Sequence, residues 1–389
     1  MVHRYPPNLL ISSNFAFTKF IESLVDKAQV IFVSFLDNDV RCSLPDSVIY
    51  KPIPMTFHRE KFIDRTFKNM LFLLYVPFYI WKLNITHKFT LIYCDDSLPL
   101  YGLFIKLVVD AKVMTRLGDL QIGYILGTAF KKFIFKFLFH LEKMAWRKVD
   151  GLITISDAYS KFLLSWRISQ EKIFLVEECI DAKFLNEVKL DSTIRQKYGV
   201  DDNEILIMFH GILSPHKGVD TLLYAFHLLK RQVTNVRLLV VGDGPSLTHL
   251  ITTAEQLSLN GSVIFTGWVS YEDIPLYINS CDIGVVMRTG DLANNFVVTS
   301  ALLQYWAFSK PVIAPKLMAI RDVLTPGEHG LLFTPDDEDD LMNNLVYMIH
   351  NIDEGKRMGK NGRDVAQQRY HNHIVGNELA NILITKLYE

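Results

Sequence analysis

The stretch Ile205–Asp220, ILIMFHGILSPHKGVD, constrains the fold more than any other part of this chain. Its apolar run Ile205–Phe209 predicts a β-strand, and a His-Gly pair ends that strand. Lys217 follows a short loop and precedes an amphipathic helical pattern over Val219–Lys230. In open α/β sheets ligands bind beyond the ends of such strands, and a lysine beside a helix N-terminus suits a phosphate because free N–H groups favour an anion there. The stretch therefore predicts a phosphorylated ligand in the second half of the chain.

Strand and helix patterns alternate along the chain, as is typical of parallel sheets. Strands are predicted at Asn8–Ser12, Val30–Phe35, Leu91–Cys94, Ala111–Thr115, Gly151–Ile155, Ile205–Phe209, Val236–Val241, Val263–Thr266, Ile283–Met287, Val312–Ala314 and Gly330–Phe333. Helices are predicted at Phe15–Lys27, Phe57–Leu83, Leu100–Asp110, Tyr124–Lys148, Gly218–Gln232, Pro245–Leu257, Ser270–Ser280, Val297–Phe308, Asp337–His350 and Glu354–Arg369. The fold class expected is α/β, with two doubly wound parallel-sheet domains.

The chain length of 389 residues fits two domains better than one core. We expect a first domain over residues 1–190, a second over residues 200–370, and a last helix over 371–389 that packs back on the first domain. The 49% hydrophobic content excludes a disordered chain. Four cysteines without CxxC spacing predict reduced, buried thiols in a cytosolic protein, and no cluster at metal-ligand spacing is present.

Positive charge is concentrated in residues 51–150, which hold sixteen Lys/Arg against eight Asp/Glu. This segment contains the apolar run Met70–Trp81, which is too short to span a bilayer and is expected to be interrupted by Pro77.

The same segment contains the basic, aromatic helix pattern 130–148, in which Phe130, Phe133, Phe137 and Leu141 recur at helical spacing. We expect this half to contact an anionic membrane surface from the cytoplasmic side. The alternative is a domain helix with its apolar stripe in the core. Nucleic acid is disfavoured because the aromatics are not interleaved with Arg and Gly.

Six short motifs occur in a fixed order in the second half. They are Gly211 with Lys217–Asp220, Leu239–Pro245, Val263–Gly267, Tyr277 with Cys281–Val285, Lys310–Ala314 and His329–Leu332. Together with Leu152–Ser156 and Val176–Phe184 of the first half, they resemble glycosyltransferases of the GT-B fold, most closely glycosyltransferase family 4. The resemblance covers about residues 140–350 by motif and residues 1–139 by architecture only.

That resemblance implies two Rossmann-like domains that face each other across a cleft. It implies a nucleoside diphosphate sugar as donor on the C-terminal domain, an acceptor on the N-terminal domain, retention of anomeric configuration, and no metal or other cofactor.

The chain departs from the family pattern at two places. Ile212 stands where members usually carry Arg, so Lys217 is left as the cation for the diphosphate. Phe296 and Gln304 stand where members usually carry two glutamates. Asp291 is the alternative source of one carboxylate, and Gln304 is a neutral replacement for the other.

The donor-side residues expected to contact the ligand are centred on Lys217 and on the loop Thr289–Asn295. A point charge near a pyrophosphate stabilises the leaving nucleoside diphosphate, and the free N–H groups of the loop hold phosphate without a side-chain charge. The other donor-side candidates are Gly211, Gly242, Gly244, Asp291, Asn294, Asn295, Thr299, Ser300 and Gln304. For the glycines a purely structural turn is an equal alternative, and for the asparagines a plain helix cap.

On the acceptor side, Arg116 and Asp119 follow the predicted strand Ala111–Thr115, and Asp119 is also a candidate catalytic residue. A salt-bridging surface loop is the alternative. The turn Asn14–Phe17 lacks the glycines common in the family. Lys217 and Asp291 complete the catalytic candidates, and no general base is identified.

The function expected is that of a retaining glycosyltransferase that moves a hexose to a hydroxyl of a lipid-linked or polysaccharide acceptor. The first alternative is a GT-B scaffold that has lost catalysis and binds a partner glycosyltransferase. The second is a sugar-nucleotide epimerase, for which the required acidic pair and histidine are not found.

Overall fold

The computed structural model describes residues 2–3, 20–36, 45–56, 62–95, 100–118, 120, 129–185 and 193–389. The chain forms two compact units. The first comprises Met1–Glu177 together with Asn372–Glu389, and the second comprises Glu178–His371. Each unit has its own sheet, in which every pairing is parallel.

The sheet of the first unit has the strand order β3-β2-β1-β4-β5-β6-β7. Its strands are β1 Val2–His3, β2 Ile31–Leu36, β3 Ile49–Thr56, β4 Leu91–Asp95, β5 Lys112–Leu117, β6 Gly151–Thr154 and β7 Ile173–Leu175. Its helices cover residues 20–25, Phe62–His87, Leu100–Val108, Ala129–Lys148, Asp157–Ser165, Gln170–Lys172 (a 3₁₀ turn) and Asn372–Tyr388. The order reverses between β1 and β4, which makes the sheet doubly wound.

The core of the first unit is rich in aromatic side chains. Trp146 is fully buried and lies edge-on to Phe139 and Phe162. Gly102 lets the helix Leu100–Val108 lie directly on β5, because a Cβ there would collide with the hydroxyl of Thr115. The C-terminal helix is tied to this unit by the ammonium of Lys112, which donates to a carbonyl oxygen of that helix at 3.0 Å.

The sheet of the second unit has the order β10-β9-β8-β11-β12-β13. Its strands are β8 Ile205–His210, β9 Val236–Val241, β10 Val263–Phe265, β11 Ile283–Val285, β12 Val312–Pro315 and β13 Leu331–Phe333. Its α-helices are Ala182–Leu185, Thr193–Lys197, Val219–Lys230, Leu247–Gln256, Ile274–Ser280, Ser300–Ala307, Met318–Val323, Glu338–His350 and Ile352–Arg369, with 3₁₀ turns at Pro215–Lys217 and Leu292–Phe296. The strand order reverses between β8 and β11.

Burial on both faces of the second sheet explains why its strands are apolar along their whole length. The helix Val219–Lys230 packs on it through Val219, Leu222, Phe226 and Leu229, which recur at helical spacing and are buried. This helix begins after Gly218, whose φ of 63° lies in the left-handed region that glycine tolerates.

The prediction of two doubly wound α/β domains is confirmed. Every strand predicted in the second half is present within about two residues at each end. The strands and helices that were not predicted are short or lack a strong alternating or helical apolar pattern. They are β1, β3, β7, Asp157–Ser165, Ala182–Leu185, Thr193–Lys197 and Met318–Val323. The predicted strand Asn8–Ser12 and the turn Asn14–Phe17 lie outside the described residues.

The expectation that Pro77 interrupts its apolar run is wrong. Pro77 lies inside the helix Phe62–His87, which continues for ten further residues. A proline removes one N–H donor, and a helix of 26 residues retains enough other backbone bonds and packing to absorb that loss. Among the described residues, no helix is both long enough and apolar enough to cross a membrane.

Candidate functional site

The loops that follow β8 and β11 flank the position where the strand order of the second sheet reverses. In a doubly wound sheet, ligands bind outside the carboxyl ends of the strands at such a reversal. β8 ends at His210 and leads through the 3₁₀ turn Pro215–Lys217, whereas β11 ends at Val285 and leads into the loop Thr289–Asn295. The topology therefore brings Lys217 and this loop to one place.

Hydrogen bonds to one carbonyl group join the two loops. The carbonyl oxygen of His216 accepts from the backbone N–H of Thr289 at 3.2 Å and from the side-chain amide of Asn294 at 3.1 Å. The Thr289 hydroxyl lies 3.1 Å from the same oxygen and 2.7 Å from a carboxylate oxygen of Asp291. The hydroxyl has one proton to donate, and the bond to the Asp291 carboxylate is shorter and charge-assisted, so the hydroxyl donates to Asp291. These bonds hold the residue next to Lys217 against the loop.

Asn294 is fully buried and is oriented by a buried cation. Its amide oxygen accepts from Nη1 of Arg288 at 2.7 Å, and its amide nitrogen also donates to the carbonyl oxygen of Thr289 at 2.9 Å. Arg288 is 8% exposed and follows β11 by three residues. Since a guanidinium stays protonated, the site has a second permanent positive charge besides Lys217.

Arg288 was not predicted from the sequence. The signal that identifies it is the one that identified Lys217, a basic residue at the carboxyl end of an apolar strand run, here Ile283–Met287.

Lys217 is half-buried and influences a histidine at the end of β8. Burial, and after it the positive charge of Lys217, lower the pKa of His210 to about 4, while a hydrogen bond with Gln304 opposes this shift. The charge of Lys217 therefore acts at the carboxyl edge of β8. The next residue, Gly218, opens the helix Val219–Lys230, whose first N–H groups have no partner within the helix.

Gln304 is 5% exposed and belongs to a buried polar chain. Its side-chain oxygen lies 2.7 Å from Nε2 of His210, and its amide also hydrogen-bonds the hydroxyl of Tyr271. Phe296, the other position where family members carry a glutamate, is 2% exposed. Neither His210 nor Tyr271 was predicted as a site residue, because their contacts join segments distant in sequence.

Two carboxylates border the loop Thr289–Asn295. Asp291 is half-buried and accepts from the Thr289 hydroxyl. Asp336 accepts from the backbone N–H of Gly290 at 2.7 Å, and a Cβ on Gly218 would lie 3.6 Å from its other carboxylate oxygen. Asp336 was not predicted, because it belongs to the turn after β13.

Thr299 and Asn295 have structural contacts at this edge of the sheet, and Ser300 is the first residue of the helix Ser300–Ala307. The Thr299 hydroxyl caps the helix Ser300–Ala307 by accepting from Leu302 N–H at 3.3 Å. Asn295 donates to the carbonyl oxygen of Asp291 at 3.4 Å and accepts from the Met318 N–H at 3.3 Å. The predicted helix start at Val297 is three residues early, because Thr299 is the capping residue.

The three candidate glycines pack two loops against each other. A Cβ on Gly242 would collide with the carbonyl oxygen of Gly211, and one on Gly244 would collide with that of Leu213. The two loop backbones also exchange hydrogen bonds, since the N–H of Leu213 donates to the carbonyl oxygen of Asp243 and the N–H of Ser246 donates to that of Leu213, both at 3.0 Å. All three glycines have φ between 141° and 156°. These contacts support the alternative that the three glycines have a structural role in the turns.

In the first unit, Arg116 lies at the carboxyl end of β5 and is 8% exposed. Its guanidinium is 3.6 Å from the carboxylate of Asp95, at the end of the neighbouring strand β4. The alternative for Arg116 was a salt-bridging surface loop. The salt bridge with Asp95 is present, but both side chains are largely buried at strand ends and do not lie on a surface loop. Asp119 lies outside the described residues.

Among the residues that the structure describes, no group of three or more His, Cys, Asp or Glu side chains could hold a metal ion. The described cysteines, Cys94, Cys179 and Cys281, are buried, and none of them is in a disulfide bond with another described cysteine.

Comparisons with known proteins match the second half of the chain to a family model. Residues 191–365 match the family model of the glycosyl transferases group 1. An uncharacterized glycosyltransferase of Methanocaldococcus jannaschii is 24% identical over 234 residues, which cover 59% of this chain and 57% of that protein. An alpha-monoglucosyldiacylglycerol synthase of Streptococcus pneumoniae is 26% identical over 305 residues, which cover 72% of this chain and 66% of that protein. The chain thus spans less than two thirds of the length of either curated relative.

A solved structure supports the fold over the whole chain. The crystal structure of HepE from Anabaena in complex with UDP-glucose has a TM-score of 0.77 at 18% identity and covers 99% of both chains. The fold and the switch-point site define an α/β protein of the GT-B class. Residues 191–365 thus match the group 1 glycosyltransferases, and the resemblance of the motifs to glycosyltransferase family 4 is confirmed.

Proposed function

We propose that this chain is a retaining glycosyltransferase that moves a hexose from a nucleoside diphosphate sugar to a hydroxyl of a lipid-linked or polysaccharide acceptor. The observation that carries the proposal is the pair of hydrogen bonds from Thr289 and Asn294 to the carbonyl oxygen of His216. They place Lys217 beside an N–H-rich loop at the switch point of a doubly wound sheet, the geometry that binds phosphorylated ligands.

The donor diphosphate is proposed to lie between Lys217 and the loop Thr289–Asn295. Lys217 supplies a point charge, and Arg288 adds positive potential through its bond to Asn294. In a partly dehydrated site these charges act more strongly than in water, and they stabilise the diphosphate as it leaves. Arg288 offsets the charge lost through Ile212. Two protein cations in this role fit a reaction that needs no divalent metal ion.

The relatives support the substrate classes. The pneumococcal relative is named for glucosyl transfer onto a diacylglycerol lipid, which supports a lipid acceptor and a hexose. The Anabaena structure contains UDP-glucose, which makes a uridine diphosphate sugar the first donor to test.

A membrane surface is the proposed partner of the first unit. On the helix Phe62–His87, the side chains of Phe78, Trp81 and Ile85 are 57%, 42% and 62% exposed and recur at helical spacing. Lys82 and Lys88 are exposed beside them. Apolar side chains flanked by lysines favour the interface of an anionic bilayer, where peripheral attachment on the cytoplasmic face is proposed.

A transfer assay tests the proposal. Protein is incubated with UDP-glucose, UDP-galactose or GDP-mannose and with diacylglycerol in anionic vesicles, and both nucleotide release and glycolipid are measured with and without EDTA. We expect product whose anomeric configuration by NMR equals that of the donor, unaffected by EDTA. Asn294→Ala removes the buried hydrogen bond to the carbonyl oxygen of His216, so the turn that carries Lys217 is held less firmly. We expect this substitution to lower the rate of transfer roughly tenfold. Asn295→Ala on the same loop is the matched control and should retain most of it.

Binding of a nucleotide without any transfer, on lipid or polysaccharide acceptors, would favour the alternative of a catalytically inactive GT-B scaffold. Products of inverted configuration would contradict the retaining mechanism. Failure of every nucleoside diphosphate to bind would contradict the proposal as a whole.

A further inference from the structure

His210 is a buried polar residue at the carboxyl end of β8, where the strand order reverses. His210 is 8% exposed to solvent. The ring lies edge-on to Tyr305, with ring centroids 4.8 Å apart and planes at 88°. The hydroxyl of Tyr305 donates to the carbonyl oxygen of Met208 at 2.8 Å, which fixes the surface against which the imidazole packs.

The contact with Gln304 determines which ring nitrogen carries the proton. The side-chain oxygen of Gln304 lies 2.7 Å from Nε2 of His210. The side chain of Gln304 also hydrogen-bonds Tyr271, which holds the amide in place. Because a carbonyl oxygen only accepts, Nε2 of His210 carries the proton.

The other ring nitrogen is then a hydrogen-bond acceptor. With its pKa lowered to about 4 by burial and by the charge of Lys217, the imidazole is neutral near pH 7, so Nδ1 has a free lone pair. Nδ1 is buried, and none of the described residues donates a hydrogen bond to it. A buried acceptor without a donor lowers stability, so such a group calls for an explanation by function or by a bound donor.

We propose that Nδ1 of His210 accepts a hydrogen bond from a hydroxyl group of the nucleotide-sugar donor, and that Gln304 and Tyr271 hold His210 in the tautomer that allows it. This inference rests on the proposed function. Phosphate oxygens carry no proton near neutral pH and cannot be the donor, and Lys217 disfavours a cationic partner. A hydroxyl fits both conditions, and it comes from either the ribose or the transferred sugar.

Two substitutions separate the two ring nitrogens. His210→Gln keeps a donor near the position of Nε2, within reach of Gln304, and removes the acceptor at the position of Nδ1. His210→Asn places an acceptor oxygen near the position of Nδ1 and removes the donor to Gln304. Unfolding midpoints of both variants establish that they are folded.

Calorimetry then measures the affinities of wild type and both variants for UDP, 2′-deoxy-UDP, 3′-deoxy-UDP and UDP-glucose. With a ribose hydroxyl as the donor, wild type binds UDP roughly 3- to 10-fold more tightly than one of the deoxy nucleotides, as expected for one net hydrogen bond. With a hydroxyl of the transferred sugar as the donor, wild type instead binds UDP-glucose roughly 3- to 10-fold more tightly than UDP. In either case the Gln variant loses the ratio and the Asn variant keeps most of it.

A Gln variant that keeps all of these ratios would overturn the inference while leaving the proposed function intact. If no nucleoside diphosphate binds to wild type, the proposed function fails and the inference with it. An NMR measurement of ligand binding to wild type gives a test that does not depend on the affinity of either variant. In ¹⁵N-histidine-labelled protein, the Nδ1 resonance of His210, assigned by its loss in His210→Asn or His210→Gln, should move upfield on saturation with UDP or UDP-glucose. An unmoved resonance at saturation would also overturn the inference.

Discussion

Individual residues of the site were predictable where their role follows from local sequence. Lys217 and the loop Thr289–Asn295 both follow apolar strand runs, so the rule for strand ends identifies them. Arg288 obeys the same rule, and we propose that it replaces the positive charge that Ile212 does not supply. His210 was not predicted, since its partner Gln304 is 94 positions further along the chain. No local pattern reports such a contact.

Glu142 gives a prediction about pH at the residue scale. It is 2% exposed, and burial raises its pKa from the usual 4.5 to about 8. Because the folded state holds this proton more tightly than the unfolded state, the free energy of unfolding should fall as pH rises from about 4.5 to about 8, by up to about 1.4 kcal/mol per pH unit. Glu142→Gln should remove that dependence and raise the unfolding midpoint at pH 8 relative to wild type.

Thermal unfolding at pH 5, 6.5 and 8 measures the effect. Glu171→Gln changes an exposed glutamate of the same unit and should leave the wild-type dependence in place. Equal pH dependence in Glu142→Gln and wild type would refute the assignment of the buried proton.

At the scale of elements, strands and helices of the second unit follow from periodicity, whereas their ends follow from caps and turns. The helix predicted from Val297 starts at Ser300 because the Thr299 hydroxyl caps it. The loops after β8 and β9 could be located from their glycines, but their mutual packing could not, because it depends on backbone atoms brought together by the sheet.

Gly242→Ala tests that packing. A Cβ at this position meets the carbonyl oxygen of Gly211, so the substitution should destabilise the second unit by about 2 kcal/mol or more through overpacking and backbone strain. Gly261→Ala is the control, since its φ of 76° is also positive but nothing lies within 4 Å of its Cβ. It should cost about 1 kcal/mol. Chemical unfolding compares the two, and equal costs would show that strain in φ alone matters.

The exposed face of the helix Phe62–His87 gives a second test at this scale. Replacing Phe78, Trp81 and Ile85 by Ser removes apolar surface that would enter a bilayer interface, and binding to anionic vesicles should fall roughly tenfold or more. Co-sedimentation with vesicles measures it. Ile251→Ser, at a position 37% exposed in the second unit, should bind like wild type. Unchanged binding of the triple variant would remove this helix from the proposed membrane contact.

For the whole molecule, the alternation of strands and helices and the ordered motifs were enough to predict two doubly wound sheets and the family. They were not enough to predict the substrates. Contacts between segments distant in sequence, such as that of Gln304 with His210, shape the site and are not encoded in a local pattern. For the molecule as a whole, we propose that the switch point of the second sheet binds a nucleoside diphosphate through Lys217.

The most direct measurement is calorimetric titration of wild type, Lys217→Ala and Lys230→Ala with UDP, GDP, ADP and dTDP. Lys230 lies at the opposite end of the helix that follows Lys217 and donates to the carbonyl oxygen of Thr234, so its loss removes an equal charge at a distance from the site. We expect one nucleotide to bind to wild type and to Lys230→Ala with equal affinity, and at least roughly tenfold more weakly to Lys217→Ala, because one charge-assisted contact is lost. Equal affinity of all three proteins, or no binding by folded wild type, would contradict it.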